Sequence, residues 1–539
     1  MLQLKSKSKQ SSFHCLLYNK IPDNHILKQI KKVVDFSFIN ELLKDTYCEN
    51  FGRPAKEPEL MCKLLFLQHI YNLSDEKVIT EASFNLTYLY FLDVNPEDIL
   101  PERSLLSKFR KLKLGEQMLD EIIIEIVRQC MEKGILNDSS VSIDATHVEA
   151  NTIKKTPERL MKHLARKIIK SYQEETKKEL GNLPEVPDYK EISDHKQAKQ
   201  VMKDYLETVI ETAESNSTTV TPETAQMIVK AKEILDEPKF MNQTGIRSLI
   251  DEDARVGRKS KTSNFFGYKV EFIMTTDQRI ITAVRTANGA YVDGTLIEEL
   301  LSDTLSSGLT INEFYGDKAY FRKSILEKIE ELEAQSYVPV SSSAYRIDES
   351  EYSYNKDSDQ WFCSQGNETV SRKYFKRNRN DAKSSIQEGY RYYFEKETCR
   401  SCPKHDDCAK KAVRKILYTG INTLEFYEIS QNQKTDEFKE KYKKRASIEG
   451  KNAELKRFHG LGRAKSYGLV SMSKQAKLAA IAVNLKRIAA IMTAKSSCFF
   501  EMFVKIRIHF AFLHSNFVNS VKERLFSQVS DVSFVMPRI

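Results

Sequence analysis

The sequence predicts an α/β fold in which one mixed sheet is preceded and interrupted by helical segments. Apolar residues recur at helical spacing as far as about residue 135, and the period changes to a strand-like alternation from Ser139. Long, charged helical patterns then fill residues 157–250, and strand signals resume at Gly267. Because two antiparallel strands are followed there by alternating helix and strand, we expect a mixed sheet.

The length and composition exclude several classes of protein. The chain has 539 residues and a formal net charge of +9, from 84 Lys and Arg against 75 Asp and Glu. Its 18 Gly and 13 Pro are too few for a fibrous or disordered chain. No apolar run approaches the roughly 18 residues that a membrane span needs, and the N-terminus lacks the apolar core of a secretory signal. We therefore expect a cytoplasmic protein with no membrane partner.

Residues 1–135 are predicted to form a helical N-terminal region. In the segment RSLLSKFRKLK, we expect Leu105, Phe109 and Leu112 to face inward, and Lys108 and Arg110 to face outward. Several short helices that end in a basic one are typical of DNA-binding bundles. The alternative is a solvated helix face, which the segment taken alone favours.

Three separate segments are predicted to form one core: 136–156, 251–344 and 431–495. In SSVSIDAT, apolar residues alternate with polar ones, and Asp144 is among the polar set. GYKVEFIMTT and RIITAVRTA predict a hairpin that turns at Asp277. The later strand INEFYGD ends on Asp317, and SYVPV is a further strand.

Two insertions and a tail complete the predicted organisation. Residues 157–250 are expected to form a helical insertion, and residues 345–430 a polar, Cys-rich insertion that holds the only tryptophan, Trp361. Residues 496–539 are aromatic and apolar, and their role is not predicted by the sequence.

A predicted helix over roughly 434–457 carries four polar side chains on one stripe. Tyr442, Arg445, Glu449 and Lys456 lie within roughly 60° of one another at about 100° per residue. Arg favours bidentate contact with phosphate, and Lys adds a point charge. The alternative is an ion-pair stripe on an exposed helix.

The spacing Y-x2-R-x3-E-x6-K resembles the signature of bacterial insertion-sequence transposases of the DDE type. The resemblance extends over roughly residues 45–490 and includes GRPAKEPELMCKLLFLQ and PERSLLSKFRKL. In relatives the second of these segments often has His where this chain has Glu102 or Arg103. The resemblance implies an RNase H-like catalytic core.

The resemblance also implies three catalytic acids. The family's first Asp stands on the opening strand of the core, as Asp144 does in VSIDATHVEAN, and the second follows a later strand, as Asp317 does in EFYGDKAY. Glu449 is the third. Asp277 and Asp293 compete for these roles, but the first is expected in a hairpin turn and the second at a helix start.

Three carboxylates suit binding of Mg²⁺ or Mn²⁺, which prefer oxygen ligands. In the chemistry that the resemblance implies, one ion lowers the pKa of a bound water that cuts the DNA strand, and the freed 3′-hydroxyl then attacks target DNA. Tyr442, Arg445, Lys456, Lys108 and Arg110 are expected to bind DNA. Lys259, Lys261 and the basic run 441–445 extend the phosphate track or, alternatively, serve solubility.

The implied partners are double-stranded DNA, as the element's terminal inverted repeats and the target, and a second copy of the chain when assembled on DNA. The implied location is the bacterial cytoplasm, in association with the nucleoid on DNA binding. Whether the excised end passes through a hairpin is not predicted.

Four cysteines predict a structural zinc site. Cys399 and Cys402 form a C-x2-C pair, Cys408 follows six residues later, and Cys363 lies 36 residues upstream of Cys399. Thiolates at such spacing bind Zn²⁺ tetrahedrally, and His405 is a replacement ligand. Family relatives resemble this pattern. The alternative is a set of free buried thiols.

Three functions remain as hypotheses. The first is a transposase that acts on its own element, the second a catalytically inactive transposase-derived DNA-binding protein, and the third an RNase H-like nuclease. The intact acid triad argues against the inactive form. No Walker-type or GxGxxG segment supports nucleotide-driven or redox chemistry.

Overall fold

The structure is a computed structural model, and its chain divides into two compact units. The first contains residues 1–113, 126–137 and 482–539, and the second contains residues 114–125 and 138–481. Placement is described for residues 12–495 except 49–50, 53, 138, 153–154, 182, 216–221, 238–239, 241–245, 261, 377–387 and 411. Lys261 and the predicted tail 496–539 therefore lie outside the described residues.

The first unit is helical, as the sequence predicts. Its helices are α1 (Ser12–Asn19), α2 (Ile26–Val33), α3 (Phe38–Leu42), α4 (Pro58–Ile70), α5 (Asp75–Phe84), α6 (Leu86–Leu92) and α7 (Arg103–Leu112). The centre of this unit is α4, which is buried all around from Met61 to Ile70. Most of these residues are apolar, and the buried Lys63 pairs with Glu59 and Asp93. Helix α8 (Glu116–Glu132) follows.

The predicted inward face of α7 is only partly correct. Phe109 is buried as expected, but Leu105 and Leu112 are exposed, and Leu106 takes the buried position instead. Phe109 lies four residues after Leu105 and three residues after Leu106, so either leucine could share a buried helix face with it. In the folded chain, Leu106 is the one that packs inward.

In the second unit, strand β1 (Ser140–Glu149) is followed by three helices, α9 (Pro157–Thr176), α10 (His195–Ser215) and α11 (Pro222–Asp236). These helices pack on one another around a shared apolar core that includes Leu160, Leu164, Met202 and Leu206. Their amphipathic stripes explain the long helical periodicity of residues 157–250.

The main sheet is mixed, as predicted. It contains β1, β2 (Arg255–Arg258), β3 (Asn264–Thr275), β4 (Ile281–Asn288), β5 (Glu313–Tyr315) and β6 (Gln335–Tyr337). The strand order is β2-β3-β1-β5-β6, and β4 also pairs with β3. Strand β3 is antiparallel to β1, β2 and β4, whereas β5 is parallel to β1 and β6. The predicted hairpin is confirmed as β3 and β4.

Two helices flank this sheet and connect its later strands. Helix α12 (Ile297–Ser306) packs on β3 and β4, and α13 (Lys323–Glu331) lies between β5 and β6 in the chain. The parallel pairing of β5 and β6 requires such a crossover, because a tight turn joins only antiparallel strands.

Residues 345–430 form small sheets around an aromatic core. The elements are β7 (Tyr352–Asn355), β8 (Gln360–Cys363), β9 (Thr369–Lys376), β10 (Glu388–Phe394), α14 (Lys396–Arg400), α15 (His405–Cys408), β11 (Ile416–Gly420) and α16 (Thr423–Asn432). Trp361 is fully buried beside Tyr392 and Phe394. Strands β9, β10 and β11 form one antiparallel sheet, and β7 pairs with β8.

The helix predicted over 434–457 is interrupted. Helix α17 (Asp436–Tyr442) is followed by a 3-10 turn (Lys443–Arg445) and then by α18 (Ala446–Phe458). A 3-10 residue turns the chain by about 120° instead of about 100°, so three of them rotate α18 by roughly 60° relative to α17. Residues 469–495 form a last helix, α19. In the described part of the chain, no helix is long and apolar enough to cross a membrane.

Candidate active site

Asp144 and Asp317 lie at equivalent positions on neighbouring parallel strands. Strand β1 pairs with β5 so that Ser140 is opposite Glu313 and Ser142 is opposite Tyr315, an offset of 173 residues. Asp144 and Asp317 have the same offset, just beyond the last paired residues. Because adjacent strands are about 4.8 Å apart, this register brings the two residues side by side where the pairing of β1 with β5 ends.

The Asp144 carboxylate is largely buried and is held by one group from the 3-10 turn and one from α18. Asn452 donates its side-chain amide to Asp144 Oδ2 at 2.8 Å, and Arg445 lies 3.9 Å from Oδ1. Burial raises the pKa of Asp144 to about 6, with Arg445 opposing this effect and Asp317 adding to it. Burial is therefore the main reason that the Asp144 carboxyl ionises less readily than an ordinary aspartate.

Asp317 is positioned by the turn that follows β5. Its Oδ1 accepts a 2.8 Å hydrogen bond from the backbone N–H of Ala319, which caps the 3-10 turn Lys318–Tyr320. Gly316 precedes it in a tight space, since a Cβ there would lie 3.2 Å from the Cβ of Tyr320. The local fold therefore fixes the backbone next to the acid.

An aromatic column connects the sheet to Tyr442. Tyr315 of β5 stacks on Tyr337 of β6 with ring centroids 5.0 Å apart, and Tyr337 contacts Phe438 of α17 at 5.5 Å. Phe438 in turn stacks on Tyr442 at 5.9 Å. The Tyr442 hydroxyl donates to the carbonyl of Gly316 at 3.4 Å, immediately before Asp317. This column of aromatic rings positions α17 against β5 and β6.

Arg445 lies between two of the predicted acids. Its guanidinium is 3.9 Å from Asp144 and donates to Glu449 at 3.3 Å. Burial would lower its pKa, but the charges of Asp144, Asp317 and Glu449 outweigh burial and raise it. Glu449 itself is 69% exposed, whereas the Asp144 side chain is 17% exposed. The structure thus joins Asp144 with Asp317 and leaves Glu449 turned outward beside Arg445.

The three acids do not form a closed metal cage in this conformation. Within the described residues, no group of three or more His, Cys, Asp or Glu side chains is arranged to hold a metal ion. Glu449 is the acid that stands apart, since its side chain is 69% exposed.

Lys456 lies on the same helix and faces β1. Its ammonium group is 3.3 Å from Nδ1 of His147, three residues after Asp144. Burial and the neighbouring Lys259 lower the pKa of Lys456, whereas Asp144 raises it. Burial, Lys456 and Lys259 likewise lower the pKa of His147. A neutral His147 accepts from Lys456 and fixes its position.

Most of the basic run 441–445 is neutralised within the chain. Lys441 and Lys444 both contact Glu313, the latter at 3.0 Å, and Lys443 contacts Glu440. Burial would raise the pKa of Glu313, but hydrogen bonds from Lys441, Tyr315 and Lys444 lower it to about 2. These ion pairs hold α17 against β5.

The two basic residues predicted on α7 have different surroundings. Lys108 is exposed. Arg110 binds Asp75 through two hydrogen bonds, of 2.5 and 2.9 Å, and contacts Gln68 at 3.1 Å. Arg110 therefore joins α7 to α5 within the first unit, in addition to any role on DNA.

Sequence reasoning missed several polar residues at the site. Glu271 of β3 is buried and accepts hydrogen bonds from Tyr291, Gly294 and Tyr320 at 2.6–2.8 Å. The signal was a lone acid within the apolar strand GYKVEFIMTT. Asp293, considered only as a competitor, pairs with Lys269 at 2.7 Å and acts electrostatically on Asp144.

The four cysteines predicted to bind zinc line one small cavity of about 30 Å³. Cys363, Cys399, Cys402 and Cys408 all contribute to it, and so does His405. His405 Nδ1 is 2.7 Å from the carbonyl oxygen of Cys399, which leaves Nε2 for another partner. All four cysteines are free thiols.

Two family models match separate parts of the chain. A family model described as a transposase domain (DUF772) matches residues 16–112. A second, described as a transposase DDE domain, matches residues 362–489.

Both matches support an insertion-sequence DDE transposase.

The second match spans the four cysteines and the motif residues from Tyr442 to Lys456, whereas Asp144 and Asp317 lie outside both matches. For this transposase, the family indicates nucleic-acid processing, DNA as the partner and dependence on a divalent metal. No solved structure matches the chain.

Proposed function

We propose that this transposase cuts and joins the ends of its own insertion element, with Asp144, Asp317 and Glu449 as the catalytic acids. The observation that carries the proposal is the shared register of Asp144 and Asp317 on parallel strands, with Arg445 between Asp144 and Glu449. Two carboxylates at one sheet end, next to a guanidinium, are suited to a divalent ion and a phosphate.

The sheet order supports an RNase H-like core. Strands β4, β3 and β1 form an antiparallel meander, and β5 and β6 continue it in parallel. We assign this core to residues 136–156, 251–344 and 431–495. Residues 1–135 are then the DNA-binding region, residues 157–250 a helical insertion and residues 345–430 a Cys-rich insertion.

The donor set at the sheet end fits Mg²⁺ or Mn²⁺. Asp144 and Asp317 offer the hard carboxylate oxygens that these ions prefer. Asn452, which contacts Asp144, has a buried Oδ1 atom with no hydrogen-bond partner in the described part of the chain. Burial raises the pKa of Asp144, and the nearby Asp317 adds to this effect, so a bound divalent cation would favour the ionised carboxylate. A bound divalent ion would supply activation of the attacking oxygen and neutralisation of the phosphate charge.

The chain's own residues prepare the site for that chemistry. Asn452 orients Asp144, and the turn after β5 orients Asp317. Glu449 completes the set by rotating inward past Arg445, whose guanidinium is then released to the DNA phosphate. Tyr442 and Lys456 contact the DNA backbone on either side, and Lys108 contributes from the N-terminal region. A second copy of the chain joins the assembly on DNA.

We further propose that Cys363, Cys399, Cys402 and Cys408 hold a structural Zn²⁺. The thiols line a common cavity, and His405 is oriented by a backbone carbonyl, as metal-bound histidines usually are. In the described residues the thiols are not yet gathered around one point. Metal binding would therefore draw the C-x2-C turn and β8 together.

Strand nicking of labelled DNA from the gene's flanks tests the proposal. Asp144→Asn and Asp317→Asn should each abolish Mg²⁺-dependent nicking without loss of binding. An inactive DNA-binding protein would bind without nicking even as wild type. A nuclease would cut unrelated duplexes as well as the flanking repeats.

A further inference from the structure

A second polar cavity lies directly beside the candidate active site. It has a volume of about 530 Å³ and is lined by residues from β2, β3, the turn before α12 and the segment after β5. Lys318, the residue after Asp317, forms part of its wall, as does Asp293. We call this cavity the basic pocket, and its volume is in the range of pockets that bind small ligands.

The charge of the basic pocket is strongly positive. Four cations line it, namely Arg258, Lys269, Lys318 and Arg322, against the single acid Asp293. Lys269 is neutralised by Asp293 at 2.7 Å. Within the described part of the chain, Arg258, Lys318 and Arg322 form no ion pair, so three positive charges remain for a ligand.

This pattern contrasts with the basic run 441–445. There, Lys441 and Lys444 share Glu313, and Lys443 is paired with Glu440. The run is more basic in the sequence than the residues of the basic pocket, but its lysines form ion pairs that hold α17 in place. The pocket cations come from two separate segments, 258–269 and 318–322, which the fold brings together.

The remaining lining offers the other groups that a nucleotide requires. Ser341 and Ser343 contribute hydroxyls, which lie 2.8 Å from each other. The ring of Tyr291 also lines the pocket, and its hydroxyl is fixed by Glu271 at 2.6 Å. A single-strand binding site combines cations for phosphate, hydroxyls for sugar or base edges and an aromatic ring for stacking.

We propose that the basic pocket binds the segment of DNA strand next to the phosphate at Asp144 and Asp317, with one nucleotide inside and its phosphates on Lys318 and Arg322. The proposal rests on the proposed function and deepens it. The strand belongs either to the element's cut end or to target DNA, since both present the same phosphodiester chemistry.

The test is DNA binding by the full chain, measured by fluorescence anisotropy without divalent cations over a range of salt. The probe is a short labelled duplex from the gene's flank with a single-stranded 3′ overhang. Lys318→Ala combined with Arg322→Ala should weaken binding and lower the slope of log K against log salt by about 1–2, because each phosphate contact contributes about 0.7–0.9. Competition by unlabelled flanking or unrelated duplex identifies which DNA the pocket serves.

The matched control removes two other positive charges from the same unit, one exposed and one half-buried, as Lys318 and Arg322 are. Lys328 pairs with Glu331 and Lys356 pairs with Glu428, so Lys328→Ala combined with Lys356→Ala should leave the salt slope unchanged. Equal slopes for the two double variants would overturn the proposal. The binding assay contains no metal, so its outcome does not depend on cleavage. If the pocket proposal failed, loss of nicking in Asp144→Asn would still support the proposed function.

Discussion

The side-chain amide of Asn452 donates a 2.8 Å hydrogen bond to Asp144, although 308 residues separate the two in the sequence. The bond ties the motif helix α18 to the opening strand of the sheet. It also fixes one carboxylate oxygen of Asp144, so that the other faces Arg445. Asn452 is thus a positioning residue for the acid.

Asn452→Ala should reduce Mg²⁺-dependent nicking by about 10–100-fold, the usual cost of losing a partner of a metal ligand. The loss should appear as a higher Mg²⁺ requirement, while DNA binding stays unchanged. Asn452→Asp should be worse, because it places a like charge against Asp144. Nicking rates over a Mg²⁺ titration provide the measurement, and an unaltered Mg²⁺ dependence in both variants would exclude this role.

Glu313 should contribute to stability only above acidic pH. Its pKa is lowered to about 2 in the folded chain, below the ordinary value of 4.5. The stabilisation is therefore complete above pH 4.5 and is lost as the pH falls toward 2. We expect Glu313→Gln to lower the free energy of unfolding by about 1–3 kcal/mol at pH 7, with the difference shrinking on acidification.

Urea unfolding of wild type and Glu313→Gln at several pH values measures this difference. Glu440→Gln removes a carboxylate that pairs with Lys443 on the exposed face, and it should change stability far less. A difference between wild type and Glu313→Gln that does not depend on pH would show that charge pairing is not its source.

Zinc binding should be visible through Trp361, the only tryptophan in the chain. This residue is fully buried in the core that packs against Cys399. We expect stoichiometric zinc in protein purified without added metal, and a red shift of tryptophan emission on chelation, because the core loosens when the metal leaves. Cys399→Ser should lose the metal, whereas Cys15→Ser, at an exposed cysteine of the first unit, should retain it. Little zinc, reactive thiols and unchanged emission together would favour free thiols.

The sequence predicted those features that depend on local pattern. Alternation of apolar and polar residues located the strand of Asp144 and the hairpin of β3 and β4, and the end of the strand INEFYGD located Asp317. Such patterns can be recognised from neighbouring residues alone, because alternate side chains of a strand face the core.

Features that depend on distant pairing were not predicted. The bonds of Asn452 to Asp144 and of Lys444 to Glu313 join residues more than 100 positions apart. The 3-10 turn at 443–445 also escaped prediction, because no Pro or Gly marks it in KYKKRAS. The predicted stripe also gave no indication that Glu449 would be exposed while Arg445 is largely buried.

The central claim is that Glu449 joins Asp144 and Asp317 as a metal ligand, and nicking by Glu449→Gln tests it most directly. Gln preserves size and hydrogen bonding but removes the charge that a divalent ion needs. Lys456→Ala is the counterpart, and it should weaken DNA binding and reduce its salt dependence. For Glu449→Gln, gel shift should show near-normal binding of labelled end DNA, and Mg²⁺-dependent nicking should fall by more than the 10–100-fold typical of an outer partner. Nicking at the wild-type rate would contradict the assignment of Glu449 and with it the proposed mechanism.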